Sequence, residues 1–248
     1  MFYNDNLNGT QARSLFPSLW VSQEDLDRAT SSCLTKVFLR MFAALLVTAA
    51  ASIAVTLSTA LQLFIYENSF VFIGLMILEL VLVFAVAAGM NRLSATTANV
   101  LFFVYAIVNG LTLSFIFFFY DIGIIFHAFA VSALMFAGMA LYGAITHRNL
   151  ASIGSICIMG LFGIIIASVV NFFFRSSLLD AIICYVGVLI FVGLTAYDTQ
   201  RIKRMLHYAN ADSHDEAIKK ISVAGALTLY LDFINIFLKI LRIMGRRR

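Results

Sequence analysis

From Lys36 onward the chain is built of long apolar blocks parted by brief polar breaks. The blocks cover residues 37–65, 70–90, 98–119, 124–145, 150–173, 178–200 and 218–241, each near the roughly 20 residues an α-helix needs to cross a bilayer. The pattern predicts seven transmembrane helices. The breaks YENS at 66, NRLS at 91, YD at 120, THRN at 146 and FRSS at 174 are short, and one longer loop, HYANADSHDEA, is expected at 207–217. Connections this tight make successive helices antiparallel neighbours, so the expected fold is an all-α, polytopic seven-helix bundle.

The first 35 residues break this pattern. They are mixed and polar, hold the only proline and the only tryptophan, and lack the apolar core and cleavage site of a signal peptide. They read as a retained cytoplasmic tail, 1–35, ahead of a membrane domain, 36–248. Within the tail, SQEDLDRA suits a short amphipathic surface helix capped by Ser22, with Phe16, Leu19 and Trp20 at the membrane interface; an unstructured tail fits the composition equally. Overall, 62% hydrophobic and 12% charged residues leave too little polar surface for a soluble globule.

Charge sets an orientation. With the amino terminus inside, the cytoplasmic segments hold Arg13, Arg28, Lys36, Arg40, Arg92, Arg148, Arg201, Lys203, Arg204, Lys219 and Lys220, whereas the opposite loops hold Arg175 alone. Cytoplasmic loops carry such an excess. Seven crossings would place the tail GRRR, 245–248, on the far side, against the rule; a last segment that enters and returns would bring it back, but 221–241 shows no break for one.

Conventional catalytic and metal signatures are missing. Cys33, Cys157 and Cys184 are isolated, His127, His147, His207 and His214 lack ligand spacing, and no zinc, phosphate-loop or hydrolase motif appears. No tight metal site, bound cofactor, enzymatic activity or nucleic-acid partner is expected; the partner the composition names is the lipid bilayer. Small residues such as those of GLFGIIIAS at 160–168 serve helix packing.

What remains are acids inside the spans, where a charge at mid-bilayer costs at least about 2.5–3.5 kcal/mol. Glu79 lies in FIGLMILELVLVF, Asp198 in FVGLTAYDTQRIKRM and Asp232 in ALTLYLDFINIFLKI. Asp232 stands eleven residues past Ile221, about 16 Å along the helix and near the midplane; Asp198 is shallower. Gly225, Thr228, Asp232 and Asn235 recur at spacings of three and four, one polar stripe on an apolar cylinder. Asn109 and Thr112 on the third span offer further hydrogen-bonding groups. The sixth and seventh helices are consecutive, so Asp198 and Asp232 are placed to meet. Two carboxylates that meet titrate as a unit and bias a bundle with two packings. Alternatively, each aspartate satisfies a neighbouring hydroxyl or amide and only fixes packing.

These segments carry a resemblance. VGLTAYDTQRIKRM at 192–205 and GALTLYLDFINIFLKILRIMG at 225–245 resemble the two signature segments of the transmembrane Bax inhibitor motif family, in its bacterial, YccA-like branch. The likeness extends from about residue 36 to the end, through NRLSATTANVLFFVYAIVNGLTLSFIF at 91–117 and ALYGAITHR at 140–148. It implies a seven-helix fold with a central last helix, and a pH-sensing pair formed by Asp198 and Asp232. It implies a calcium leak under pH control, with calcium as permeant ion and Glu79, Asn109 and Asn235 along its path. A gating arginine of the family would align near Met90, whereas this chain has Arg92; two positions turn a side chain to nearly the opposite helix face, so Arg92 swings round as a latch or the latch is absent. The family also includes regulators of cell death and of a membrane-bound protease, so a non-transporting protein that modulates a membrane protease or other partner is the alternative. The branch suits a bacterial inner membrane. An intramembrane aspartyl protease would need GxGD around its second acid, where this chain has TLYLD.

Overall fold

The computed structural model describes residues 23–89, 93–211 and 215–246, and every regular element among them is an α-helix. In chain order these are α1 (Gln23–Leu57), α2 (Thr59–Tyr66), α3 (Ser69–Gly89), α4 (Ala95–Leu113), α5 (Ile116–Phe119), α6 (Ile122–Ile145), α7 (Ala151–Phe174), α8 (Ser177–Ala211) and α9 (Asp215–Gly245). Among the described residues six spans are long and apolar enough to cross a membrane, α4 and α5 together forming one of them. The pair α2–α3, bent by 82°, makes a seventh if it counts as one span. The outer surface agrees with a lipid environment: Phe84, Leu134, Phe172, Phe173 and Phe174 are all at least two-thirds exposed, which water would penalise and acyl chains do not.

α9 is the hub. It packs on α1, α4, α6 and α8, and Val223, Ala226, Leu229, Tyr230, Ile236 and Leu241 along it are almost completely buried. α7 lies outside, chiefly against α8, and α3 lies outside against α4.

Lipid supplies no hydrophobic drive between helices, so close backbone approach and hydroxyl hydrogen bonds hold the bundle. α1 and α4 show both. A Cβ on Gly110 would stand 2.5 Å from the Thr48 carbonyl oxygen. One turn apart on α1, Thr48 Oγ1 donates to the Ala106 carbonyl at 2.9 Å and Ser52 Oγ to the Gly110 carbonyl at 2.7 Å. Between α6 and α8, Gly143 lets the Ala196 backbone come so near that a Cβ would overlap its carbonyl oxygen. At the amino end of α4, Ser94 Oγ accepts from Thr97 N, and Glu216 Oε1 of α9 accepts from Ala95 N at 3.0 Å; the acid thereby satisfies a free donor of the first turn.

Two sequence expectations change. The apolar run 37–65 is not one helix: it is cut at Ser58, whose extended backbone and side chain cap α2 by accepting from Leu61 N at 3.4 Å. α1 passes through residue 36 without a break. The loop expected at 207–217 is mostly helix, since α8 continues to Ala211 and α9 begins at Asp215. The physical reason is a second stripe: Ile202, Leu206 and Ala209 remain buried at spacings of four and three, so the helix is packed even where its other face is charged. Ser22, Phe16, Leu19 and Trp20 lie outside the described residues.

Candidate functional site

Asp198 of α8 and Asp232 of α9 are both buried, 9% and 5% exposed, on the two helices that share the most extensive interface of the bundle. Two close approaches give the register. A Cβ on Gly225 would meet Ile202, and one on Gly187 would meet Lys239 Cε at 3.2 Å. Stepping four residues from Ile202 to Asp198 and four from Gly225 leads to Leu229; stepping eleven from Gly187 to Asp198 and eleven back from Lys239 leads to Thr228. Asp198 is therefore level with Thr228 and Leu229, three to four residues, about 5 Å of helix rise, from Asp232. Each carboxylate stands within electrostatic reach of the other, and the Arg201 guanidinium, one turn along α8, also acts on Asp198. No hydrogen bond joins the two acids among the described residues. Asp232 Oδ2 is buried without a hydrogen-bond partner there, as is Thr199 Oγ1.

A second polar cluster occupies another side of α9. Glu79 of α3 accepts from Thr112 Oγ1 of α4, and that hydroxyl also lies 3.0 Å from the Asn109 carbonyl oxygen. Asn109 Oδ1 accepts from the Tyr230 hydroxyl at 3.0 Å, and that hydroxyl lies 2.7 Å from Thr48 Oγ1 of α1. Four helices thus meet in one chain of hydrogen bonds. Tyr230 and Asp232 are two residues apart, about 200° around α9, so this chain and the aspartates flank the helix on different sides.

The sequence-derived site residues therefore fall into separate groups. Asp198 and Asp232 share the α8–α9 interface; Glu79 and Asn109 come together in the hydrogen-bonded chain. Asn235 joins neither, its Nδ2 donating to the Leu231 carbonyl at 2.8 Å. It lines a cavity of about 430 Å³ with Phe115, Phe119, Tyr120, Lys239 and Arg242 near the carboxyl end of α9. Arg92 lies outside the described residues. Tyr230 and Thr48 were not singled out from the sequence; the available signal was a phenol in mid-span, which requires a hydrogen-bond partner. Among the described residues no three of histidine, cysteine, aspartate and glutamate gather as a metal site.

A lipid-embedded helical bundle, wrapped around its last helix and holding buried acids against that helix, defines a class of polytopic membrane proteins. Comparison with known proteins places this chain within it. The family model described as "Inhibitor of apoptosis-promoting Bax1" matches residues 30–248, and the chain belongs to this Bax inhibitor family. It is 44% identical over 216 residues to the inner membrane protein YbhL of Escherichia coli K12, covering 87% of this chain and 92% of YbhL. A Borreliella burgdorferi protein is 43% identical over 215 residues, with the same coverage. Protein RP147 of Rickettsia prowazekii is 38% identical over 222 residues, 90% of this chain and 92% of its own.

Proposed function

We propose that this protein is a pH-sensitive, calcium-permeable leak channel in which Asp198 and Asp232 act together as the proton sensor. The observation that carries the reading is the burial of both carboxylates on packed helices, with Asp232 Oδ2 left without a donor among the described residues. A buried carboxyl group with an unsatisfied oxygen is sensitive to its protonation state, because removing or adding one charge there changes the attraction between the helices that enclose it. The offset of about one turn allows the pair to interact through space or through a single bridging proton carrier rather than by a fixed direct bond. Glu79, Asn109 and Asn235 contribute oxygen and amide groups to the ion path, and Arg92 is the proposed latch. Dispersed oxygens of this kind suit a permeant calcium ion, which favours many oxygen ligands when it is held tightly. In this reading the protein is not an enzyme, uses no bound cofactor and treats calcium as cargo.

The reading also places the protein in a bacterial inner membrane with its amino terminus in the cytoplasm. Support comes from the excess of Lys and Arg on alternate connections and from the description of YbhL as an inner membrane protein.

The test is calcium flux into liposomes holding the purified protein across pH 5–8, for wild type and for Asp198→Asn and Asp232→Asn. The expected result is a pH-dependent flux whose pH dependence disappears in both variants. Flux no greater than that of empty liposomes, with folded protein confirmed, would sink the channel and leave a non-transporting regulator of a membrane protease or other partner.

A further inference from the structure

The basic stretch after Asp198 is not a uniform charged surface. Residues Gln200, Lys203, Arg204, His207 and Tyr208 recur at helical spacing on one face of α8, and that face is directed at the connection between α6 and α7. Between them lies a polar pocket of about 460 Å³, completed by Gly143, Thr146, His147 and Asn149. Its described lining holds a lysine, an arginine and two histidines and no carboxylate. Arg201, on the same helix, is exposed and does not line it.

The pocket is held in shape by hydrogen bonds that do not consume its positive charge. Gln200 fastens the far wall: its Nε2 donates to the Arg148 carbonyl at 2.7 Å, and its Oε1 accepts from Leu150 N at 3.0 Å. Arg204 Nη2 donates to Asn149 Oδ1 at 2.9 Å and to Gln200 Oε1. Lys203 Nζ donates to the Ala144 carbonyl at 2.8 Å. All of these acceptors are neutral. An ammonium has three donors and a guanidinium five, so both cations keep donors to offer. His147 is exposed and makes no hydrogen bond among the described residues. His207 faces a carboxylate only across 3.7 Å, at Asp27 of α1.

Convergent cations fixed by neutral acceptors leave uncompensated positive potential in a concave space. The ligand that matches it is an anion with several oxygens, able to accept from an ammonium, a guanidinium and imidazoles together. We infer that this pocket binds a phosphate group, either free in solution or as the headgroup of an anionic phospholipid, held by Lys203, Arg204 and His147. The assignment does not depend on ion conduction.

Binding to the full chain tests it with two probes. Inorganic pyrophosphate is titrated calorimetrically into protein in nonionic detergent, and phosphatidylglycerol retention is read by native mass spectrometry after release from phosphatidylcholine nanodiscs doped with it. Wild type is expected to bind at least one probe: the first identifies a soluble phosphate source, the second a lipid source. Lys203→Gln and His147→Ala should each weaken that binding about tenfold, the scale of one lost charge-assisted hydrogen bond, while Arg201→Gln leaves it unchanged. His147 is exposed, so its variant keeps the test open if the lysine variant fails to fold. Failure of wild type to hold either probe would overturn the assignment, as would undiminished binding in both pocket variants. A loss in Arg201→Gln equal to that in Lys203→Gln would also overturn it, by showing only diffuse attraction to a basic surface.

Discussion

The Tyr230 hydroxyl donates to Asn109 Oδ1 at 3.0 Å, joining the central helix α9 to α4 in the buried interior. The same oxygen lies 2.7 Å from Thr48 Oγ1, but that hydroxyl also donates to the Ala106 carbonyl, so deleting the phenol leaves Asn109 Oδ1 as the unpaired group. Tyr230→Phe is expected to lower stability by about 1–3 kcal/mol, the penalty for buried polar groups left unpaired. Thermal unfolding in detergent checks this. In an Asn109→Ala background the same change should cost less, because neighbours in one network are not additive.

Asp198 and Asp232 are expected to behave as one titrating unit. If so, Asp198→Asn, Asp232→Asn and the double variant should give the same flat pH profile of calcium flux, instead of effects that add. A residual pH response in either single variant that vanishes only in the double would assign the two acids independent roles.

Gly143 and Gly163 make a matched pair. A Cβ on Gly143 would overlap the Ala196 carbonyl oxygen, which is backbone and cannot rotate away, whereas one on Gly163 meets nothing within 4 Å. Gly143→Ala should push α6 off α8 close to Asp198 and cost about 1–3 kcal/mol, as overpacking does. Gly163→Ala should leave the unfolding temperature in detergent unchanged or raise it, since alanine is the better helix former.

Gln200→Leu tests the fastening of the α6–α7 connection. Leu150 is 2% exposed and its backbone N–H donates to Gln200 Oε1; losing that acceptor leaves a buried donor unpaired. Opening of residues 146–151 should become easier by about 1–3 kcal/mol, read as roughly 5- to 150-fold faster amide hydrogen exchange there. Exchange in α9 should not change.

Much of this architecture is legible in the chain because lipid imposes a coarse requirement, about 20 apolar residues per crossing. The turns at 120 and 174 follow from it directly. The depth difference between Asp198 and Asp232 is legible as well, and the register turns it into about one helical turn. The cut at Ser58 is not legible, since neither proline nor glycine marks it and a serine in an apolar run equally suits a helix that bonds back to its own carbonyls. The last three turns of α8 were hidden for the opposite reason: charged residues dominate the eye there, while Ile202, Leu206 and Ala209 do the packing. The chain from Glu79 to Thr48 links residues from four helices, and no local pattern specifies which buried hydroxyl will meet which amide.

The central position of α9 has a consequence for biogenesis. Chains emerge amino terminus first, and domains assemble in the order they are made. α1, α4, α6 and α8 must therefore enter the membrane before the helix they all pack against exists. Until α9 arrives, Asp198 and the Asn109 amide oxygen that Tyr230 will meet face lipid or water. The half-made bundle is a natural client for whatever shields polar groups in a bilayer during synthesis.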